Sequence, residues 1–220
     1  MRHRPALTAN QVTIAAVDFS ALDMVGATGC EAWVYQCIAG TTLLRSWKRE
    51  KTVSQTLSII ELARRATALE QGLNSNLQDM ERRSMAAEDS VVPVLTRIYA
   101  AAANAYLHVV VSGANPELED ISSAVDAASR ALQTLSHASF IRRLGWPICV
   151  IASLSKPRHE VFLSLLEAGA RGDQDQCTSV IRGFEVARET QRLRRMSPGK
   201  ESTIDWVDGM ESLGHEWILI

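Results

Sequence analysis

One pair of residues in this chain has metal-like spacing, Cys30 and Cys37 in a C-x6-C step. Such a step occurs in six-cysteine zinc clusters, but the C-x-x-C steps that complete one are absent. The intervening EAWVYQ is largely apolar, where a DNA-contacting knuckle would carry Lys and Arg. Residues seven apart on a helix share a face, so the pair reads as two small core hydrophobes. His159-Glu160 and His215-Glu216 each open the H-E-x-x-H pattern that sets two zinc ligands on one helix face. Leu163 and Leu219 stand where the second histidine would be. SPGKES at 197–202 lacks the first glycine and the strand of a phosphate loop, and Glu201 takes its Ser/Thr position. No serine sits in G-x-S-x-G, so a nucleophile elbow is not supported. The sequence therefore offers no catalytic residue, no cofactor site and no metal site, and an enzyme is not expected.

One polar pair remains. Asn104 and His108 are four apart in the apolar run RIYAAAANAYLHVVV (97–111), a spacing that places them on one helix face. Two readings stand: the pair reaches into a ligand pocket, or it is buried and satisfied by itself or by a backbone carbonyl. The second is favoured. The basic runs Arg45–Lys51 and Arg188–Arg195 fall at predicted helix ends, where cations are stabilising without a partner, so they read as solvated helix ends. Trp33, Trp146, Trp206 and Trp217 sit among apolar residues and read as core anchors rather than as a stacking platform for bases.

The elements that must carry these residues are helices. The chain has 220 residues, 46% hydrophobic and 22% charged, with a net charge of −2, ordinary values for a globular protein. Aromatics are 5%, so the core rests on Leu, Ile, Val and Ala, of which Ala and Leu are strong helix formers. The near-neutral balance argues against the whole chain being a nucleic-acid clamp. The run from Ile98 to Val111 is apolar on nearly every face, the mark of a buried helix, and its fourteen residues fall short of the roughly 20 that span a bilayer. The spacing predicts an all-α, single multi-helix domain packed around this central apolar helix at about 98–111.

Around it the pattern predicts a helix from Thr28 to the RSWKREK segment, with Ala32, Trp33, Cys37, Leu43, Leu44 and Trp47 inward. A second runs from Ser54 to about Leu73, with Leu57, Ile60, Leu62, Ala66 and Leu69 inward, and stops at Gly72, Asn74 and Asn76. Met80–Glu88 reads as a loop, Asp89 or Ser90 as the cap of the central helix with Pro93 in its first turn, and Gly113 as a left-handed helix end before Pro116. A helix opening at Glu117 buries Ile121, Val125, Ala128, Leu132 and Leu135. Gly145 and Pro147 must bend or restart the chain. Two further helices follow, one after Pro157 with Val161, Phe162, Leu165 and Leu166 inward. The other has Cys177, Val180, Ile181, Phe184 and Ala187 inward. RMSPGKEST is a loop, Ile204–Leu213 a short last helix, and EWILI an apolar tail that docks. Residues 1–20 are weakly patterned, and 21–220 form the helical domain. The scattered cysteines and the apolar run broken by Asp18 and Asp23 fit an intracellular chain with reduced thiols, no signal peptide and no membrane anchor.

Four segments, in order, resemble the C-terminal regulatory region of fungal zinc-cluster transcription factors, the fungal-specific transcription factor domain type. They are LDMVGATGCEAWVYQCIAGTTLLRSWKRE (22–50), IYAAAANAYLHVVVSGANPELEDISSAV (98–125), LGWPICVIAS (144–153) and DWVDGMESLGHEWILI (205–220). The four stand in the family's order and together span Leu22 to Ile220. The resemblance implies an all-helical regulatory domain, a nuclear location, and control of RNA polymerase II transcription through a small-molecule effector or through the transcription machinery and other regulators. It brings no catalytic residue with it. The family's DNA-binding half carries six cysteines in a basic N-terminal segment that this chain lacks. Either the chain is a truncated product or it acts through partners, and no direct DNA contact is expected of these residues. The alternative is a helical adaptor or small-molecule-binding protein without a transcriptional role.

Overall fold

The computed structural model describes residues 23–84, 90–135, 138–172 and 177–214, and among these every regular element is a helix. The order is α1 (Met24–Thr28), α2 (Ala32–Val53), α3 (Ile59–Ser84), α4 (Val92–Ser112), α5 (Glu119–Gln133), α6 (Gly145–Ser153), α7 (Pro157–Gly172), α8 (Thr178–Met196) and α9 (Trp206–Ser212). Short 3-10 helices at Ala138–Arg143 and Glu201–Thr203 lead into α6 and α9. The expected weak segment 1–20, the His215-Glu216 pair, Trp217 and the EWILI tail lie outside the described residues, as does Asp89.

Helix α4 is the axis. Ala100, Ala102, Ala103 and Ala105 let neighbouring helices approach, while Leu95, Ile98, Leu107, Val109 and Val110 fill the space between them, all buried. It packs on α2, α3, α5 and α6. The helix begins at Val92 with Pro93 in its first turn, as expected, where a missing N–H costs nothing; the capping position is Val91 rather than Ser90. At 21 residues it is long and apolar enough to cross a bilayer, so length does not decide the matter. Burial of 67% of its apolar window inside the protein accounts for the apolar faces instead.

Helix boundaries differ from the sequence expectation at several points: the helix expected from Thr28 begins at Ala32, the one expected from Ser54 begins at Ile59, and the last is Trp206–Ser212. Helix α3 runs through Gly72, Asn74 and Asn76, and the expected loop from Met80 is its last turn, because Leu73 and Met80 are buried and Leu77 packs against the core. Tertiary packing outweighs the local stop signals, and Asn76 Nδ2 donates back to the Gly72 carbonyl at 2.8 Å. Gly113 has φ +90° as expected, but its ψ of 165° is extended rather than left-handed helical, and a Cβ there would lie 2.8 Å from the Ser202 carbonyl oxygen. The helix expected from Glu117 begins at Glu119, after a turn in which Asn115 Oδ1 accepts from the Glu117 N–H.

The buried faces also shift. On α2 the fully buried residues are Val34, Tyr35, Ile38, Thr41 and Leu44, whereas Trp33, Cys37 and Trp47 flank the core half-buried. The face is displaced because α2 meets α3 and α4 together. Ile60, expected inward on α3, is 83% exposed. The inner faces of α5 and α8 are as read from the sequence, Leu135 being only partly buried. Val161, Phe162 and Leu165 lie outside the described side chains. Gly145 and Pro147 restart the chain: a 3-10 turn precedes them, and all of α6 is buried.

Candidate functional site

Asn104 and His108 lie on the face of α4 between α3 and α5. His108 Nε2 is 3.8 Å from Glu70 Oε1 on α3, and its Nδ1 is 3.9 Å from Asp120 Oδ2 on α5. Both distances exceed a hydrogen bond, so the imidazole bridges two carboxylates through space. Asn104 Oδ1 is buried and has no hydrogen-bond partner. No hydrogen bond joins the two residues among the described ones.

A larger polar cluster, which sequence reasoning did not find, joins α2, α8 and α9. Asp205 Oδ1 accepts from the Val207 N–H and its own N–H donates to Asp208 Oδ2, a capping box that starts α9. Its other oxygen pairs with Arg45 Nη1 at 2.7 Å. Arg194, nine-tenths buried, donates Nε–H to the Ile204 carbonyl at 2.9 Å and Nη1–H to the Ser153 carbonyl, while its Nη2 is buried without a partner. Burial draws the Arg194 pKa below the ordinary arginine value, with Asp205 and Asp208 opposing. Lys48 Nζ meets the Val110 and Val111 carbonyls at 2.7 and 3.1 Å, closing the end of α4. Arg45, Lys48 and Arg194 thus depart from the expectation of solvated helix ends: each is drawn onto a neighbouring element. The signal that could have found the cluster is Asp205-x-x-Asp208 ahead of a short helix.

An aromatic chain runs beside this cluster. Tyr35 and Tyr99 lie 5.6 Å apart, Tyr99 stacks on Trp146 at 6.1 Å, and Tyr106 meets Trp146 and Trp206 edge-on at 6.4 and 5.7 Å. Trp146 is buried, Trp33 and Trp206 partly so, and Trp206 Nε1 has no partner. Tyr99 donates its hydroxyl to the Arg143 carbonyl at 2.6 Å, fixing the entry to α6.

The other residues singled out by spacing are held in structural roles. His159 Nδ1 accepts from the Lys156 N–H at 3.1 Å, so Nε2 carries the proton and donates to Asp126 Oδ1 at 2.7 Å. This bond ties α7 to α5. Cys30 precedes α2 and is fully buried, and burial pushes its thiol pKa well above the usual range. Cys37, on α2, is held at about 11 for the same reason. Among the described residues no three His, Cys, Asp or Glu side chains gather as metal ligands.

What the fold and these clusters define is an all-helical domain whose polar residues brace the junctions between helices around α4. The family described as the fungal-specific transcription factor domain matches residues 13–220, and the chain belongs to it. Among curated proteins it is similar to two trichothecene biosynthesis transcription regulators named TRI10. That of Trichoderma arundinaceum is 34% identical over 144 residues, 64% of this chain and 33% of the relative. That of Fusarium sporotrichioides is 27% identical over 186 residues, 84% of this chain and 43% of the relative. The ustiloxin B cluster transcription factor ustR of Aspergillus flavus is 32% identical over 162 residues, covering 69% and 27%. The chain therefore spans less than half the length of these relatives. No solved structure matches it.

Proposed function

We propose that these residues are the regulatory domain of a fungal RNA polymerase II transcription factor, acting in the nucleus as one helical domain over 21–220. The observation that carries this reading is the family match over 13–220 on an all-helical core built around α4. The domain works through protein or effector contacts, not through catalysis and not through its own DNA contact. Net charge −2 and the inward use of Arg45, Lys48 and Arg194 support the last point, because a phosphate-binding face needs cations free to meet the backbone.

Asn104 and His108 are assigned to the α3–α4–α5 junction. The position of His108 between Glu70 and Asp120 supports a bracing role. The unpartnered Asn104 Oδ1 favours a second reading, in which a small-molecule effector with a hydrogen-bond donor enters there.

The test is to locate a tagged copy of the chain in fungal cells and to titrate the purified chain with mixed-sequence duplex DNA across a range of salt. The expected result is nuclear signal without a salt-dependent DNA complex. Exclusion from the nucleus, or a complex that weakens steeply with salt, overturns the reading.

A further inference from the structure

The chain has six prolines, and only Pro198 follows a serine or threonine. That serine, Ser197, opens Ser197-Pro198-Gly199-Lys200, with a cation three residues after the hydroxyl. We propose that Ser197 is a phosphorylation site for a proline-directed serine/threonine protein kinase.

The structure presents these residues as a substrate loop. Pro198 cannot continue α8 and keeps its predecessor out of helical geometry; Ser197 has φ −127° and ψ 63°. Ser197 is half-buried, whereas Pro198, Gly199 and Lys200 are exposed, and Met196 before them is 67% exposed. Gly199 turns the chain at φ +83° with nothing within 4 Å of where a Cβ would stand. Among the described residues nothing holds the Ser197 hydroxyl. The loop is fastened at its two ends. Arg194 binds the Ile204 carbonyl, and the Ser202 carbonyl accepts from the Ala114 N–H at 2.7 Å. Between those anchors the turn is closed by the Lys200 N–H on the Ser197 carbonyl at 3.0 Å, with the Gly199 N–H on Glu201 Oε1 at 2.9 Å. Both bonds face water, so a kinase cleft can straighten the segment without exposing core.

The selection follows from the residue types. A cleft that takes the residue after the target without offering it a hydrogen-bond acceptor desolvates any N–H placed there, and proline alone has none. An acidic subsite further along pairs with Lys200. In the reaction the γ-phosphoryl group of magnesium–ATP forms a bond to Ser197 Oγ as its bond to the bridging oxygen of ADP breaks. The hydroxyl proton passes to the kinase's base. The product places a dianion at the carboxyl end of α8, whose helix dipole opposes it, two residues from Arg195 and three from Lys200, which attract it. The charge of the loop leading to α9 is thereby switched without a change in the core.

The experiment incubates the 220-residue chain with a cyclin-dependent, proline-directed kinase and γ-labelled ATP, and maps the label by mass spectrometry. The expected result is a single labelled residue, Ser197, with incorporation lost in Ser197→Ala and Pro198→Ala and lowered in Lys200→Ala. All three variants melt like the parent, since Pro198 and Lys200 are exposed and no hydrogen bond among the described residues holds the Ser197 hydroxyl. A peptide spanning 192–204 serves as control. If the peptide is labelled and the folded chain is not, the fold withholds the serine and the proposal fails. It fails equally if the label persists in Ser197→Ala or is indifferent to Pro198→Ala.

Discussion

Trp146 touches two tyrosines of the central helix, and its neighbours on both sides, Gly145 and Pro147, are buried with it. Removing the indole leaves a void beside Tyr99 and Tyr106 of α4. Trp146→Ala is expected to cost about 3–5 kcal/mol in a denaturant melt, the range for large aromatics in cores. A second residue-scale expectation concerns Glu189 on α8. Hydrogen bonds from Arg192, then from Ser212 of α9, lower its carboxyl pKa from the ordinary 4.5 to about 2. A depressed carboxylate adds stability above its unfolded pKa and loses it as pH falls through the folded value. Its contribution is therefore full at neutral pH and fades between about pH 4.5 and about 2. Carboxyl titration by NMR should place its midpoint near 2, and Arg192→Ala should move it up toward the ordinary value.

At the scale of elements, the contact between α6 and α8 depends on glycine. A Cβ on Gly183 would lie 2.7 Å from the Gly145 carbonyl oxygen and 3.3 Å from the Cys149 nitrogen, both main-chain atoms. Gly183→Ala must separate two helices rather than turn a side chain. An overpacking loss of about 1–3 kcal/mol is expected by thermal or chemical denaturation. This close approach was not legible in the sequence, where Gly183 sits mid-helix without a partner in view. What was legible followed from strong periodicity: the inner faces of α5 and α8, the central helix, and the restart at Gly145–Pro147. Boundaries set by distant packing were not. Gly72 and Asn76 look like stops until Leu73 and Met80 are seen buried beyond them. The buried face of α2 is displaced from its sequence pattern because that helix packs on two neighbours at once. Asn104 and His108 could be placed on one face from their spacing, but Glu70 and Asp120 come from other helices and carry no local signal. Arg45, Lys48 and Arg194 looked like helix-end cations for the same reason.

Over the whole molecule, the side chains with the strongest polar chemistry hold helices together. Asp205 joins the start of α9 to α2, Arg194 joins α8 to the segment before α9 and to the end of α6, and His159 joins α7 to α5. The most direct test is to fuse the chain to an unrelated DNA-binding domain and to measure a reporter transcript from its promoter in fungal cells, with the DNA-binding domain alone as reference. The expected result is a transcript level that departs from the reference, and that moves back toward it when Trp146→Ala destabilises the core. A folded, nuclear, promoter-bound fusion that leaves the transcript at the reference level would contradict a regulatory role for this domain.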